Sequence, residues 1–120
     1  MKAFKLFNTA NGDSAFEEGT IQELDHISSA YFFLVNDEPE RRHFDWHPAP
    51  RRQYVITLKG SLEFTVTDGS SFVVEPGDVV IALDTAGTGH KWRMLSEESW
   101  SRIYIVLDED QDDAFIQKAV

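Results

Sequence analysis

Apolar and polar residues alternate over short stretches along most of the chain, and turn-forming residues separate these stretches. Leu62, Phe64 and Val66 are apolar at every second position, which is the period of a strand with one buried face. Asp68-Gly69 follows as a tight-turn signal, as expected between two strands of a hairpin. The pattern predicts an all-β sandwich or barrel, with strands near 3–8, 16–25, 29–35, 42–47, 54–58, 61–67, 72–74, 79–83, 90–95 and 100–107.

Two segments depart from simple alternation. Residues 31–35 form a continuous apolar run, which suits a strand buried on both faces or a contact between subunits; we therefore expect a homodimer. Residues 108–113 are densely acidic, and acidic charge favours the N-terminus of a helix. A short C-terminal helix over 114–119 is therefore predicted.

Composition restricts the classes of partner. A chain of 120 residues predicts one domain spanning 1–120, with enough residues for its own core. The net charge of −10 opposes approach to nucleic-acid phosphates and to anionic membranes. There is no cysteine and no long apolar segment, so we expect a cytoplasmic protein without disulfides, thiolate ligands or a membrane anchor.

The stretch from 42 to 60 carries the candidate chemistry. Strict alternation in a strand would place His43, Asp45 and His47 on one face. Phe44 and Trp46 would then lie on the other face. Two imidazoles and a carboxylate beside a strand are a natural place for a site.

Spacing within this stretch resembles the first sequence motif of the cupins. That motif ends in His-x-His, three or four residues, Glu, six residues and Gly. Gln53, six residues and Gly60 match its end with Gln in place of Glu, and counting back places the two His positions at His47 and Ala49. The opening Gly of the motif is Arg41 here.

The second cupin motif is matched less completely. Gly77 fits its opening, and Gly87 with His90 restores its Gly-x-x-His ending, although Leu83 stands in place of Pro and Met94 in place of Asn. The resemblance implies a small single-domain cupin with a jelly-roll β-barrel, also described as a double-stranded β-helix. Cupins include dioxygenases, isomerases, epimerases, lyases, decarboxylases and binding proteins, so the fold alone does not fix the chemistry.

Metal-binding cupins, which this chain resembles, hold one divalent ion with two His, one Glu and a third His. Only His47, Gln53 and His90 fall on those positions. A second register would use Asp45 and His47 with His90, if a bulge adds one residue before Gln53. One ion of Fe, Mn or Zn suits these donors, and both a metal-bound and a metal-free site stay open.

Other residues are candidates for catalysis or ligand binding. His47 and His90 are candidate acid/base groups, and His43 is a further candidate at the barrel mouth. A basic cluster is suited to clamping an anionic ligand, with structural ion pairing as its alternative role; it consists of Arg41, Arg42, Arg51 and Arg52. A set of aromatic side chains is expected to face inward and line the pocket, namely Phe64, Trp92 and Tyr104.

Two functions follow from this sequence. The first is a small cupin-type enzyme acting on a small polar, anionic metabolite by lyase, isomerase or oxygenase chemistry. The second is a non-catalytic ligand-binding or structural cupin whose metal site has decayed.

Overall fold

The computed structural model describes residues 1–24, 26–38, 40 and 43–119. These residues form eleven strands and no helix, which confirms the all-β prediction. Within the described ranges, no helix is long and apolar enough to cross a membrane. The strands are β1 (Lys2–Asn8), β2 (Ser14–Ile21), β3 (Ser29–Asp37), β4 (His43–His47), β5 (Gln53–Lys59), β6 (Leu62–Thr65), β7 (Ser71–Val74), β8 (Val79–Ala82), β9 (His90–Met94), β10 (Trp100–Leu107) and β11 (Phe115–Gln117).

The strands form two sheets that are not closed into a continuous barrel. The large sheet has the order β11-β2-β1-β8-β5-β10-β3, and the small sheet has the order β4-β9-β6-β7. Only the β1–β8 pair is parallel among the pairs observed. Strands that are distant in sequence are therefore neighbours, as in a jelly roll.

The main core lies between the two sheets. Leu6 and Val80 of the large sheet and Leu62 and Val74 of the small sheet are almost fully buried. Each such side chain contributes roughly 1.5–3 kcal/mol through removal of apolar surface from water. A second apolar cluster on the other face of the large sheet includes Tyr54.

Strand β3 is an exposed edge of the large sheet. It pairs with β10 alone among the described strands. Tyr31, Phe32 and Leu34 are 50%, 68% and 65% exposed, so the alternative in which this run is buried on both faces is wrong for the isolated chain. Its role as a contact between subunits stays a prediction.

The predicted C-terminal helix is wrong, because the chain forms strand β11 instead. Ala114 has a φ of 58°, a left-handed conformation that interrupts any right-handed helical path. Arg52 donates hydrogen bonds to the carbonyl groups of Asp108, Glu109 and Gln111. These carbonyl groups therefore take part in a contact between distant parts of the chain. Phe115 and Ile116 lie over Gly19, where a Cβ atom would overlap them, and β11 thereby pairs with the edge of β2.

Candidate functional site

A cavity of about 390 Å³ lies between the two sheets. Its walls include the three aromatic residues proposed from the sequence, Phe64, Trp92 and Tyr104. His47 and His90 also line it. The structure thus brings most of the candidate site residues into one space of a size typical for small-molecule sites.

The two histidines are neighbours across strands β4 and β9. Their Cα atoms are register partners, and their ring centroids are 4.6 Å apart. Gly89 permits this approach, because it has a φ of +81° and a Cβ atom there would overlap the carbonyl oxygen of His47. A glycine before His90 is therefore a requirement of the site.

An irregularity in β4 determines which of its residues reach the cavity. The register of β4 against β9 shifts between Phe44 and His47, and both of these residues line the cavity. His43 and Asp45 lie instead in a separate depression beside Lys91. The strict alternation expected from the sequence is wrong here, because a β-bulge changes which side chains share a face.

His47 has its proton position set by the backbone. Its Nδ1 lies 2.7 Å from the Asp45 carbonyl oxygen; a carbonyl only accepts, so Nδ1–H donates and Nε2 keeps its lone pair. Burial lowers the pKa of His47 below the ordinary value of 6.5, and His90 lowers this pKa further, while the Asp45 carbonyl and Asp84 act in the opposite direction. His47 is therefore a neutral imidazole at pH 7.

His90 is oriented by a buried carboxylate that the sequence did not reveal. Asp84 is fully buried, and its Oδ2 lies 2.7 Å from His90 Nδ1 and accepts a hydrogen bond from Ser14 Oγ at 2.7 Å. Asp84 Oδ1 has no partner among the described residues. The carboxylate holds the proton of His90 on Nδ1, which directs the other ring nitrogen away from Asp84.

Gln53 and Arg51 form a neighbouring part of the cavity wall. Gln53 is buried, and its Oε1 accepts a hydrogen bond of 3.3 Å from Arg51 Nη1. The Arg51 guanidinium lies 5.9 Å and 5.7 Å from the ring centroids of Tyr31 and Phe33, within cation–π range. Arg51 is thus placed to meet a ligand.

The other predicted arginines lie elsewhere. Arg52 does not line the cavity, and its guanidinium is held by three backbone carbonyls of the 108–111 segment. This arrangement indicates a structural role for Arg52. Arg41 and Arg42 lie outside the described residues.

A second arginine in the cavity was missed by the sequence analysis. Arg102 is 6% exposed, and its Nη1 lies 2.8 Å from Asp37 Oδ2. Its Nε donates to Tyr104 Oη at 3.1 Å, and its guanidinium lies 3.7 Å from the Trp100 ring centroid. The signal was present, because residues 100, 102 and 104 occupy alternate positions of one strand and hence share a face.

The donor set does not fit a resident divalent metal ion. Among the described residues, no three His, Cys, Asp or Glu side chains stand together as a metal site. The cavity offers His47, His90 and the amide of Gln53, whose oxygen already accepts from Arg51. Three neutral donors supply no negative charge to a divalent ion. The metal predicted from the sequence stays a prediction, and the chemistry below uses none.

No protein-family model and no curated protein matches the chain. Among solved structures, the fold is similar to that of a DUF861 family protein from Thermotoga maritima, with a TM-score of 0.51 and 25% identity over 63% of this chain and 78% of that chain. A protein from Neisseria meningitidis has a TM-score of 0.49 and 20% identity over 73% of this chain and 88% of its own. A cupin-2 domain containing protein from Shewanella frigidimarina has a TM-score of 0.47 and 21% identity over 74% and 80%.

The two facing sheets and the DUF861 neighbour support one conclusion. The chain is a small cupin-fold domain of the jelly-roll type. This confirms the fold predicted from its two sequence motifs.

Proposed function

We propose that the cavity is a metal-independent acid–base site that acts on a small polar, anionic metabolite by isomerase-type or lyase-type chemistry. The observation that carries the proposal is the pair of His47 and His90, which stand 4.6 Å apart between ring centroids in one cavity. Each has its Nδ1 held by a separate acceptor. Each ring therefore keeps Nε2 for a ligand.

The surroundings of the two histidines suit different roles. His47 is neutral at pH 7 because burial lowers its pKa, so its free lone pair can accept a proton from a substrate carbon or hydroxyl group. His90 has its Nδ1 held by the carboxylate of Asp84, and this contact orients the ring so that Nε2 can exchange a proton with a substrate oxygen. One proton is taken and one is returned, so the substrate undergoes no net oxidation or reduction.

Charge in the cavity favours an anionic ligand. The protein carries a net charge of −10, yet Arg51 and Arg102 both line the cavity. Among the described residues of the wall, Asp37 is the acidic residue that opposes them. The cavity is therefore more positive than the rest of the molecule, and this difference attracts anions.

Exchange of carbon-bound hydrogen with solvent tests the proposed chemistry. A panel of small 2-oxo and 2-hydroxy carboxylic acids is incubated in D₂O with the protein and followed by proton NMR. We expect loss of the signal of the hydrogen next to the carboxylate for at least one acid. His47→Gln and His90→Gln should each slow this exchange by about 100-fold or more, because a positioned acid or base contributes roughly 10²–10⁴-fold.

His43→Gln is the matched control, because His43 is exposed on the same strand and lies outside the cavity. It should exchange the same acids at the wild-type rate. Binding of the acids without exchange, or equal exchange by all four proteins, would contradict the proposal; the first outcome would instead describe a ligand-binding cupin.

A further inference from the structure

We infer that Arg102 anchors the carboxylate of the ligand, and that the ligand is a small monocarboxylic acid with a flat, conjugated body. This inference rests on the proposed function, since it names the substrate class of the same cavity. It starts from a buried cation that the proton-transfer chemistry does not use.

The guanidinium of Arg102 is held rigidly before any ligand arrives. It lies over the Trp100 ring at 3.7 Å from the centroid. Its Nη1 forms an ion pair with Asp37 at 2.8 Å and donates to the Trp100 carbonyl oxygen at 3.2 Å. Nε donates to Tyr104. Among the described residues, Nη2 has no hydrogen-bond partner, and Arg102 lines the cavity. A fixed donor loses little entropy when it binds an anion.

Asp37 limits the charge of the anion. Its carboxylate lies 2.8 Å from Arg102 and also lines the cavity. A dianion such as a phosphate monoester would be repelled by this neighbouring negative charge, whereas a monoanion meets less repulsion. A carboxylate is therefore favoured over a phosphate.

The walls define the body of the ligand. Phe33 and Tyr104 stack with centroids 4.9 Å apart and an interplanar angle of 16°, and Trp92 and Trp100 meet edge to face at 4.8 Å. Flat aromatic faces favour a flat apolar or conjugated partner. The cavity volume of about 390 Å³ lies at the lower end of the range for small-molecule sites, roughly 300–1,000 Å³.

The anchor and the histidines lie at separate positions along the cavity. Arg102 pairs with Thr57 in the large sheet, and Thr57 is four residues along β5 from Gln53, which corresponds to about 13 Å. Gln53 pairs with Ala82, and Asp84, two residues beyond Ala82, holds His90. An acid held at Arg102 would therefore extend along the cavity toward the histidine pair.

Calorimetry with cinnamate and its neutral counterpart cinnamamide tests the inference. The wild type should bind cinnamate at least tenfold more tightly than cinnamamide. The double variant Arg102→Met with Asp37→Asn removes the ion pair without leaving a buried unpaired charge, and it should reduce this preference to about one while cinnamamide affinity changes less than threefold. Arg102→Lys keeps a cation beside Asp37 but loses the planar fork, and it should lower the preference several-fold.

A control removes a more exposed ion pair between an arginine and an acidic residue outside the cavity. Arg93 and Glu63 pair at 2.8 Å in the separate depression of the small sheet, and Arg93→Met with Glu63→Gln should keep the full preference for cinnamate. Thermal unfolding checks that each variant is folded. If the double variant is unfolded, the loss of preference in Arg102→Lys tests the role of Arg102 instead.

Three outcomes would overturn the inference. The first is equal wild-type affinity for the two probes, or no binding of either. The second is a preference that survives in every Arg102 variant. The third is a preference lost only in Arg51→Gln, which would make Arg51 the anchor. His47→Gln separates this inference from the proposed function, because it should slow hydrogen exchange by about 100-fold or more and leave the cinnamate preference intact.

Discussion

Replacement of Gly89 by Ala should destabilise the protein and separate the two histidines. Gly89 has a φ of +81°, and its Cα faces the backbone of His47 and Pro48 so closely that a Cβ atom would overlap both. The carbonyl oxygen of His47 is backbone and has no rotamer to change. Strand β4 must therefore move away from β9 to admit a methyl group.

Two costs add in this variant. A non-glycine residue in the left-handed region costs about 1–3 kcal/mol. Forcing extra volume into a packed contact costs a further 1–3 kcal/mol or so. Gly69→Ala isolates the first cost, because Gly69 has a φ of +89° and nothing lies within 4 Å of the Cβ position.

Guanidinium unfolding of both variants measures the two costs. We expect Gly89→Ala to lose about 1–3 kcal/mol more free energy of unfolding than Gly69→Ala. Nuclear Overhauser contacts between the rings of His47 and His90 should weaken only in Gly89→Ala. Equal destabilisation by the two substitutions, with the ring contacts kept, would refute the close approach of β4 and β9 at this glycine.

Three further predictions concern pH, metal and assembly. Because burial lowers the pKa of His47 in the folded protein, the unfolded chain binds more protons below pH of about 6.5; the melting temperature of the wild type should fall more than that of His47→Gln as the pH drops from neutral to about 5, and parallel curves would contradict the shift. Ala49 and Gln53 line the cavity, so Ala49→His with Gln53→Glu should raise the calorimetric affinity for Mn, Fe or Zn, whereas unchanged affinity in a folded variant would show that these positions do not converge on one ion. Phe32→Ser with Leu34→Ser on the exposed β3 edge should convert a dimer into a monomer by light scattering, and a wild type that is monomeric at micromolar concentration would contradict the predicted homodimer.

Local sequence pattern was sufficient for most of the fold. The last long strand was predicted over 100–107 and is observed as Trp100–Leu107, because it is rich in the β-branched and aromatic residues that favour strands. The 114–119 helix failed because its prediction used only local charge. The observed strand depends on Gly19 and Arg52, which are distant in sequence and reach the C-terminal segment only in the folded chain.

The candidate site was predicted only in part, because local pattern locates motif residues but not contacts between distant parts of the chain. His47 and His90 were found because each occupies a position of a cupin-like motif. Asp84 was missed, since its carboxylate is held in place by Ser14, 70 residues away, and no local period reports such a contact. Asp45 was placed with His47 by strict alternation, and a bulge that depends on the pairing of β4 with β9 carries it to another surface.

The central claim is that His47 and His90 both hold a proton on Nδ1 and present Nε2 to the cavity. Long-range nitrogen–proton correlation NMR on nitrogen-15 labelled protein at neutral pH reads the protonation of each ring nitrogen directly. We expect Nδ1 of both histidines to be protonated, with Nε2 of His47 bare. A proton on Nε2 and a bare Nδ1 in either ring would contradict the contacts to the Asp45 carbonyl and Asp84, and with them the acid–base site.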